Sequence, residues 1–221
     1  MRRVLLTLFG AIAAFLPTFV MGAGTATAST NVGTGISYQL EGCRASTNAY
    51  VAPGQFICPD ANYTQGNLGK GWNEFDLVPG RVVLSAGNSA PATQNFQFVI
   101  AVDNCSGSDG STGCTAAGDF PGYDILSSDS GGTPTFNTNL SSATGCGTIS
   151  ASAPAYDPSV PGGTGGTQLY RTMSVTGQAS NTTCVYDFWA RLAFNSHLYP
   201  GSSLHFNLLV GLGRARRSWP R

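Results

Sequence analysis

Apolar and polar residues alternate with a period of two along several stretches of this 221-residue chain. Glycine, proline, serine and asparagine interrupt the alternation roughly every ten residues. In 93–102, Phe96, Phe98, Ile100 and Val102 fall on one face. In 183–194, Cys184, Tyr186, Phe188, Ala190, Leu192 and Phe194 share a face, with Asp187 and Arg191 opposite. Leu204, Phe206, Leu208 and Val210 repeat the pattern, with His205 and Asn207 on the other side. Shorter segments at 36–40, 55–58, 81–86, 123–127 and 168–175 also suit strands. Such alternation belongs to antiparallel sheets with one face on a core. Part of 186–194 also fits helical spacing through Val185, Trp189 and Leu192, and the strand reading is preferred there. The Gly-, Ser- and Pro-rich segments 104–120 and 153–167 read as surface loops. Many short strands with Gly/Pro turns predict an all-β fold, an antiparallel two-sheet β-sandwich with long loops.

The ends of the chain differ from this body. Arg2 and Arg3 precede an apolar run from Val4 to Met21, and Ala26-Thr27-Ala28 is a small-x-small cleavage site. Residues 1–28 are therefore expected to be a secretory signal peptide. Residues 29–213 form the β domain and 214–221 a basic, disordered tail. The run is interrupted by Gly10 and Pro17 and lacks a cationic stop-transfer flank, so a retained membrane helix fits less well. The expected location is extracellular or at the cell surface, with the periplasm as the other exported compartment. Two of the 11 basic residues lie in the leader and four in the last eight residues, so the body sets five basic against 11 acidic residues, a formal net charge of −6. A body of that sign has no footprint for nucleic acid. Six cysteines in an exported chain imply disulfides. Their number leaves connectivity open, and nearest-neighbour pairing is favoured: Cys43 with Cys58, Cys105 with Cys114, Cys146 with Cys184. Zinc is disfavoured because no Cys-x-x-Cys occurs and His197 and His205 lie far from any close cysteine pair.

Four segments are distinctive: Gly66-Asn67-Leu68-Gly69-Lys70-Gly71-Trp72-Asn73-Glu74-Phe75-Asp76-Leu77-Val78-Pro79, Ser85 to Gln94, Phe120 to Asp124, and Asn181 to Asp187. Across roughly 38–208 the chain resembles the first domain of very large exported bacterial surface proteins built from immunoglobulin-like or prealbumin-like β domains. The resemblance implies a non-catalytic structural or adhesive module. Its partners would be neighbouring β domains of a larger surface protein or extracellular polymers, with no membrane contact in the mature form. Such proteins are expected to continue after Leu209, whereas here the chain turns to Gly213-Arg214-Ala215-Arg216-Arg217-Ser218-Trp219-Pro220-Arg221. That change reads as a truncated or frameshifted end, which would leave the last strand as an unpaired apolar edge prone to association.

Candidate chemistry is sparse. Neither a Gly-x-Ser-x-Gly elbow nor a His-Glu-x-x-His motif occurs. A triad from Ser202 or Ser203, His197 or His205 and Asp187 would require geometry that sequence does not reveal. Glu41 and Glu74, the only glutamates, are an equally weak glycosidase pair. No enzyme activity and no cofactor are expected. Trp72, with Tyr63 and Asn73 nearby, offers a sugar-stacking platform and hence a carbohydrate-binding alternative; the competing role for Trp72 is core packing. Asp103, Asn104, Asp109 and Asp119 supply hard oxygens of the kind Ca²⁺ prefers, though no EF-hand spacing is present. Lys70, the only lysine, together with Glu74 could form an isopeptide bond to Asn195 or Asn207, as prealbumin-like pilin domains do; a solvated turn lysine is the simpler reading.

Overall fold

The computed structural model describes residues 32–44, 49–52, 55–68, 71–106, 114, 119–127, 133–157, 167–199 and 204–210. The leader, Lys70, Asp109, Ser202, Ser203 and the tail lie outside the described residues. The strands are, in order, β1 (Ile36–Cys43), β2 (Ala49–Ala52), β3 (Gln55–Ile57), β4 (Tyr63–Thr64), β5 (Leu77–Ala86), β6 (Thr93–Cys105), β7 (Tyr123–Ser127), β8 (Thr148–Ala151), β9 (Ala155–Asp157), β10 (Thr167–Ala179), β11 (Thr183–Leu192) and β12 (Phe206–Leu209). One sheet has the order β4-β1-β5-β11-β7. The other runs β12-β6-β10-β8, with β9 also on β10, and β2 pairs with β3 apart from both. Every strand pair is antiparallel. The molecule is an antiparallel β-sandwich, as the alternation predicts.

The period of two decides which residues meet between the sheets. Val78, Val82 and Leu84 of β5 and Cys184, Tyr186, Phe188, Ala190 and Leu192 of β11 face Phe96, Phe98, Ile100 and Val102 of β6 and Leu169, Met173 and Val175 of β10. Tyr38 of β1 stands edge-on to Phe96 and Phe98, and Phe188 and Tyr123 both meet Phe206 of β12. Gly80 sits directly opposite Phe188. A Cβ there would lie 2.3 Å from the Phe188 ring, so only glycine leaves room for this side chain. Gly80→Ala is expected to cost about 1–3 kcal/mol by overpacking. Urea denaturation measures it, and an unchanged midpoint would show that the ring can shift freely.

The preferred strand reading of one segment holds, and the reading of one loop changes. Residues 186–192 are strand with no helical turn, because β11 is hydrogen-bonded to β5 on one side and to β7 on the other. Within the expected loop 153–167, Ala155–Asp157 forms β9. The reason is β10, which is 13 residues long. β8 covers only Met173 to Thr176, and β9 pairs with the backbone of Gln168 to Tyr170 that would otherwise be bare. A three-residue strand is too short to show alternation.

The edge of β11 beyond β7 is closed by residues 137–142. The Ser142 and Ser141 hydroxyls accept the N–H groups of Thr183 and Val185, both at 2.9 Å. The Ser142 and Asn137 N–H groups donate to the carbonyls of the same two residues at 2.7 and 2.8 Å. Side-chain oxygens thus complete a ladder where no strand lies. β12 occupies the edge of the second sheet.

All three disulfides pair nearest neighbours, Cys43–Cys58, Cys105–Cys114 and Cys146–Cys184, and no cysteine is free. The third joins the approach to β8 in one sheet to β11 in the other. Three disulfides point to an oxidising, extracellular setting. No helix among the described residues is long and apolar enough to cross a membrane.

Candidate functional site

The outer face of the first sheet carries a row of charge. Register sets Glu41 of β1 opposite Arg81 of β5, and Arg81 opposite Asp187 of β11. Arg81 donates through Nε to Glu41 Oε2 at 2.5 Å and through Nη1 to Asp60. Glu41 also accepts from Gln39 Nε2 at 2.6 Å. The Tyr63 ring lies against the guanidinium, 4.1 Å from centroid to carbon. Burial opposes the charge on Arg81, but its hydrogen bonds to Asp60 and Glu41 outweigh this and hold its pKa above the usual value. Burial, and then the charge of Asp187, pushes the Tyr63 hydroxyl well above the usual tyrosine range, so it stays protonated as a donor.

Beside this row is a depression. One part, of about 160 Å³, is lined by Asp60, Tyr63, Pro79, Asn137, Asp187 and Trp189 among others. An adjoining part, of about 440 Å³, shares Asn137, Asp187 and Trp189 and adds Thr135, Phe136 and Thr138. Asn137 Nδ2 donates to Asp187 Oδ2 at 2.6 Å, which fixes the carboxylate in the wall. The rings of Tyr63, Trp189 and Phe136 with carboxylate, amide and hydroxyl groups suit a ligand that offers hydroxyls and a flat apolar face. The alternation of β11 places Asp187 on this face in sequence, and the same period of two puts Trp189 beside it. Its association with Tyr63 arises only because loops before β4 and after β7 fold over the sheet.

A second polar cluster sits between β6 and β12. Asp103 is fully buried and accepts the His205 N–H at 2.9 Å, His205 Nδ1 at 2.8 Å and Gln168 Nε2 at 2.9 Å. Gln168 Oε1 in turn accepts from Asn207 Nδ2 at 3.2 Å. The hydrogen bond to Asp103 raises the His205 pKa above the ordinary imidazole value of about 6.5, against the opposing effect of burial. Because the folded value exceeds the unfolded one, this stabilisation is complete below pH 6.5 and fades as pH rises through the folded value. His205→Ala should therefore lose more stability relative to wild type at about pH 5 than at about pH 9 by denaturant titration. Equal losses would mean that the imidazole charge is irrelevant.

The other sequence candidates disperse. Trp72 packs against the core cluster, on the other side of the sheet from Tyr63 and its arginine. Asn73 belongs to a turn in which its N–H donates to Asp76 Oδ2 at 2.6 Å. Of the calcium candidates that are described, Asp103 is enclosed by His205 and Gln168, and Asn104 Nδ2 donates to the Tyr123 carbonyl at 2.6 Å. Asp119 lies within 4.8 Å of the Cys105 and Cys114 sulfurs, which are bonded to each other. Glu74 Oε1 contacts His197 Nδ1 at 2.5 Å, far in the fold from Glu41 on Arg81. Of the triad candidates, Asp187 lies on β11, His205 precedes β12 of the other sheet and holds Asp103, and His197 holds Glu74; Ser202 and Ser203 lie outside the described residues.

No family model, curated protein or solved structure matches this chain. Its class is the one its own architecture defines, a disulfide-linked antiparallel β-sandwich.

Proposed function

We propose that this chain is an exported, non-catalytic module of a bacterial surface, structural or adhesive in role, of the immunoglobulin-like or prealbumin-like kind. The observation that carries the reading is the arrangement of the disulfides. One staples the two sheets together, while the others tie the ends of β1 and β6 to the loops that follow them. This is reinforcement suited to an oxidising exterior. The charged groups support it further: Arg81 with Glu41 and Asp60, Arg191 with Asp124, and His205 with Asp103 act as braces between elements. The test is expression of the full chain with its own leader in a bacterial host. Oxidised protein should appear in the medium or be released from intact cells by external protease. Recovery only from the cytosol with reduced thiols would refute the reading.

A secreted carbohydrate-binding module is the second reading, favoured by the groove of Tyr63, Trp189, Asp187 and Asn137. A glycan array separates the two. A specific hit lost in Trp189→Ala and in Tyr63→Ala, but kept in an exposed-residue control, would establish the second reading. The first expects no such hit.

A further inference from the structure

One end of the first sheet displays two phenylalanines to solvent. Phe75 is 55% and Phe194 61% exposed, and their rings stack with centroids 6.2 Å apart and planes 12° from parallel. Leu198 is exposed beside Phe194 in the chain, and exposed Ile125 shares a face with Arg191, whose guanidinium carbon lies 6.0 Å from the Phe75 centroid. Apolar side chains scattered singly over a surface need no explanation, but a stacked aromatic pair with aliphatic neighbours does.

The backbone makes the display more telling. Phe75 has φ 68°, a left-handed conformation that bulky residues rarely adopt. It is held there by its N–H donating to the Leu192 carbonyl at 2.8 Å and by the Asn73–Asp76 turn. Asn195, directly after Phe194, is also left-handed, with φ 65°. Glycine would relieve the strain at position 75 but would remove the ring. Strain that presents an apolar group to water signals a use for that group.

We propose that this patch is the contact between two copies of the chain, formed around a two-fold axis. The rim decides between occupants. Glu74 pairs with His197 at 2.5 Å, and Arg191 holds Asp124 through two bonds of 2.9 and 2.8 Å. The rim is therefore balanced in sign, and an isologous contact can lay each ion pair beside one of reversed sense in the other copy without net repulsion. An anionic lipid surface would instead call for uncommitted cations, whereas this arginine is neutralised and the body is acidic. The contact goes beyond the surface-module reading and does not depend on the compartment.

Sedimentation velocity of the full chain as exported, from about 1 to about 100 μM, tests this, since such a small patch supports a micromolar contact at best. A reversible monomer–dimer equilibrium is expected. Phe75→Gly and Phe194→Ser should each weaken it by about tenfold or more, the loss of a central aromatic anchor. Phe75→Gly should also keep or raise the melting temperature, because it removes the strain. A fall of several degrees would make the ring a structural prop and overturn the proposal. A monomer throughout the range overturns it. So does association that both variants retain, which would place the contact elsewhere, such as the β12 edge. Binding to phosphatidylglycerol vesicles that is lost in Phe75→Gly, without dimerisation, would assign the patch to lipid and overturn it as well.

Discussion

Replacing Cys146 and Cys184 together by alanine is expected to lower the unfolding free energy by about 4 kcal/mol, the loop-entropy value for a closure of this length. The bridge spans 38 residues and crosses between the sheets, with Cys184 fully buried on the core face of β11. Cys105–Cys114 closes only nine, and its removal should cost about 2.5 kcal/mol by the same relation. Geometry reinforces the ranking. Without the long bridge the approach to β8 loses its covalent tie to β11, and β8 holds β10 over only four residue pairs. Paired denaturation curves of the two double variants, in oxidising buffer, check the order. If the short bridge proves the more costly, the entropic account is wrong for this fold.

Arg81→Met should cost about 3 kcal/mol, because it leaves a largely buried carboxylate without its cation. The side chains of Arg81 and Glu41 are 12% and 11% exposed. Asp60, at 66%, is not comparable, and Asp60→Ala should cost less than about 1 kcal/mol. Replacing Glu41 with leucine in the Arg81→Met background should recover much of the loss, since the stranded charge goes with it. Chemical denaturation of the single and double variants measures this. Additive losses would show that the two residues stabilise the sheet independently, through packing and not as a pair.

The sandwich was legible because burial on one face imposes a period of two that no other element shares. Thr93–Cys105 and Thr183–Leu192 follow it closely enough to be read directly, and nearest-neighbour order favours the pairing that the bridges adopt. Where strands are two to four residues long, as in β4, β8 and β9, alternation has no room to appear. Their existence depends on the backbone of a longer neighbour needing partners.

The candidate site was less legible for a related reason. Alternation assigns Asp187 to the polar face of its strand, but only the register of β1, β5 and β11 puts Glu41, Arg81 and Asp187 in one row. Tyr63 reaches that row from the two-residue β4 and Asn137 from a loop, neither of which any periodicity records. Likewise, Asp103 and His205 are 102 residues apart, and Phe75 meets Phe194 across the end of a sheet. The sequence by itself determined which face each strand buries and which cysteines could join, since both follow from local spacing and compartment. Which charges, rings and carboxylates meet was decided only by tertiary structure, because strand register and loop closure are settled by the packing of the whole chain.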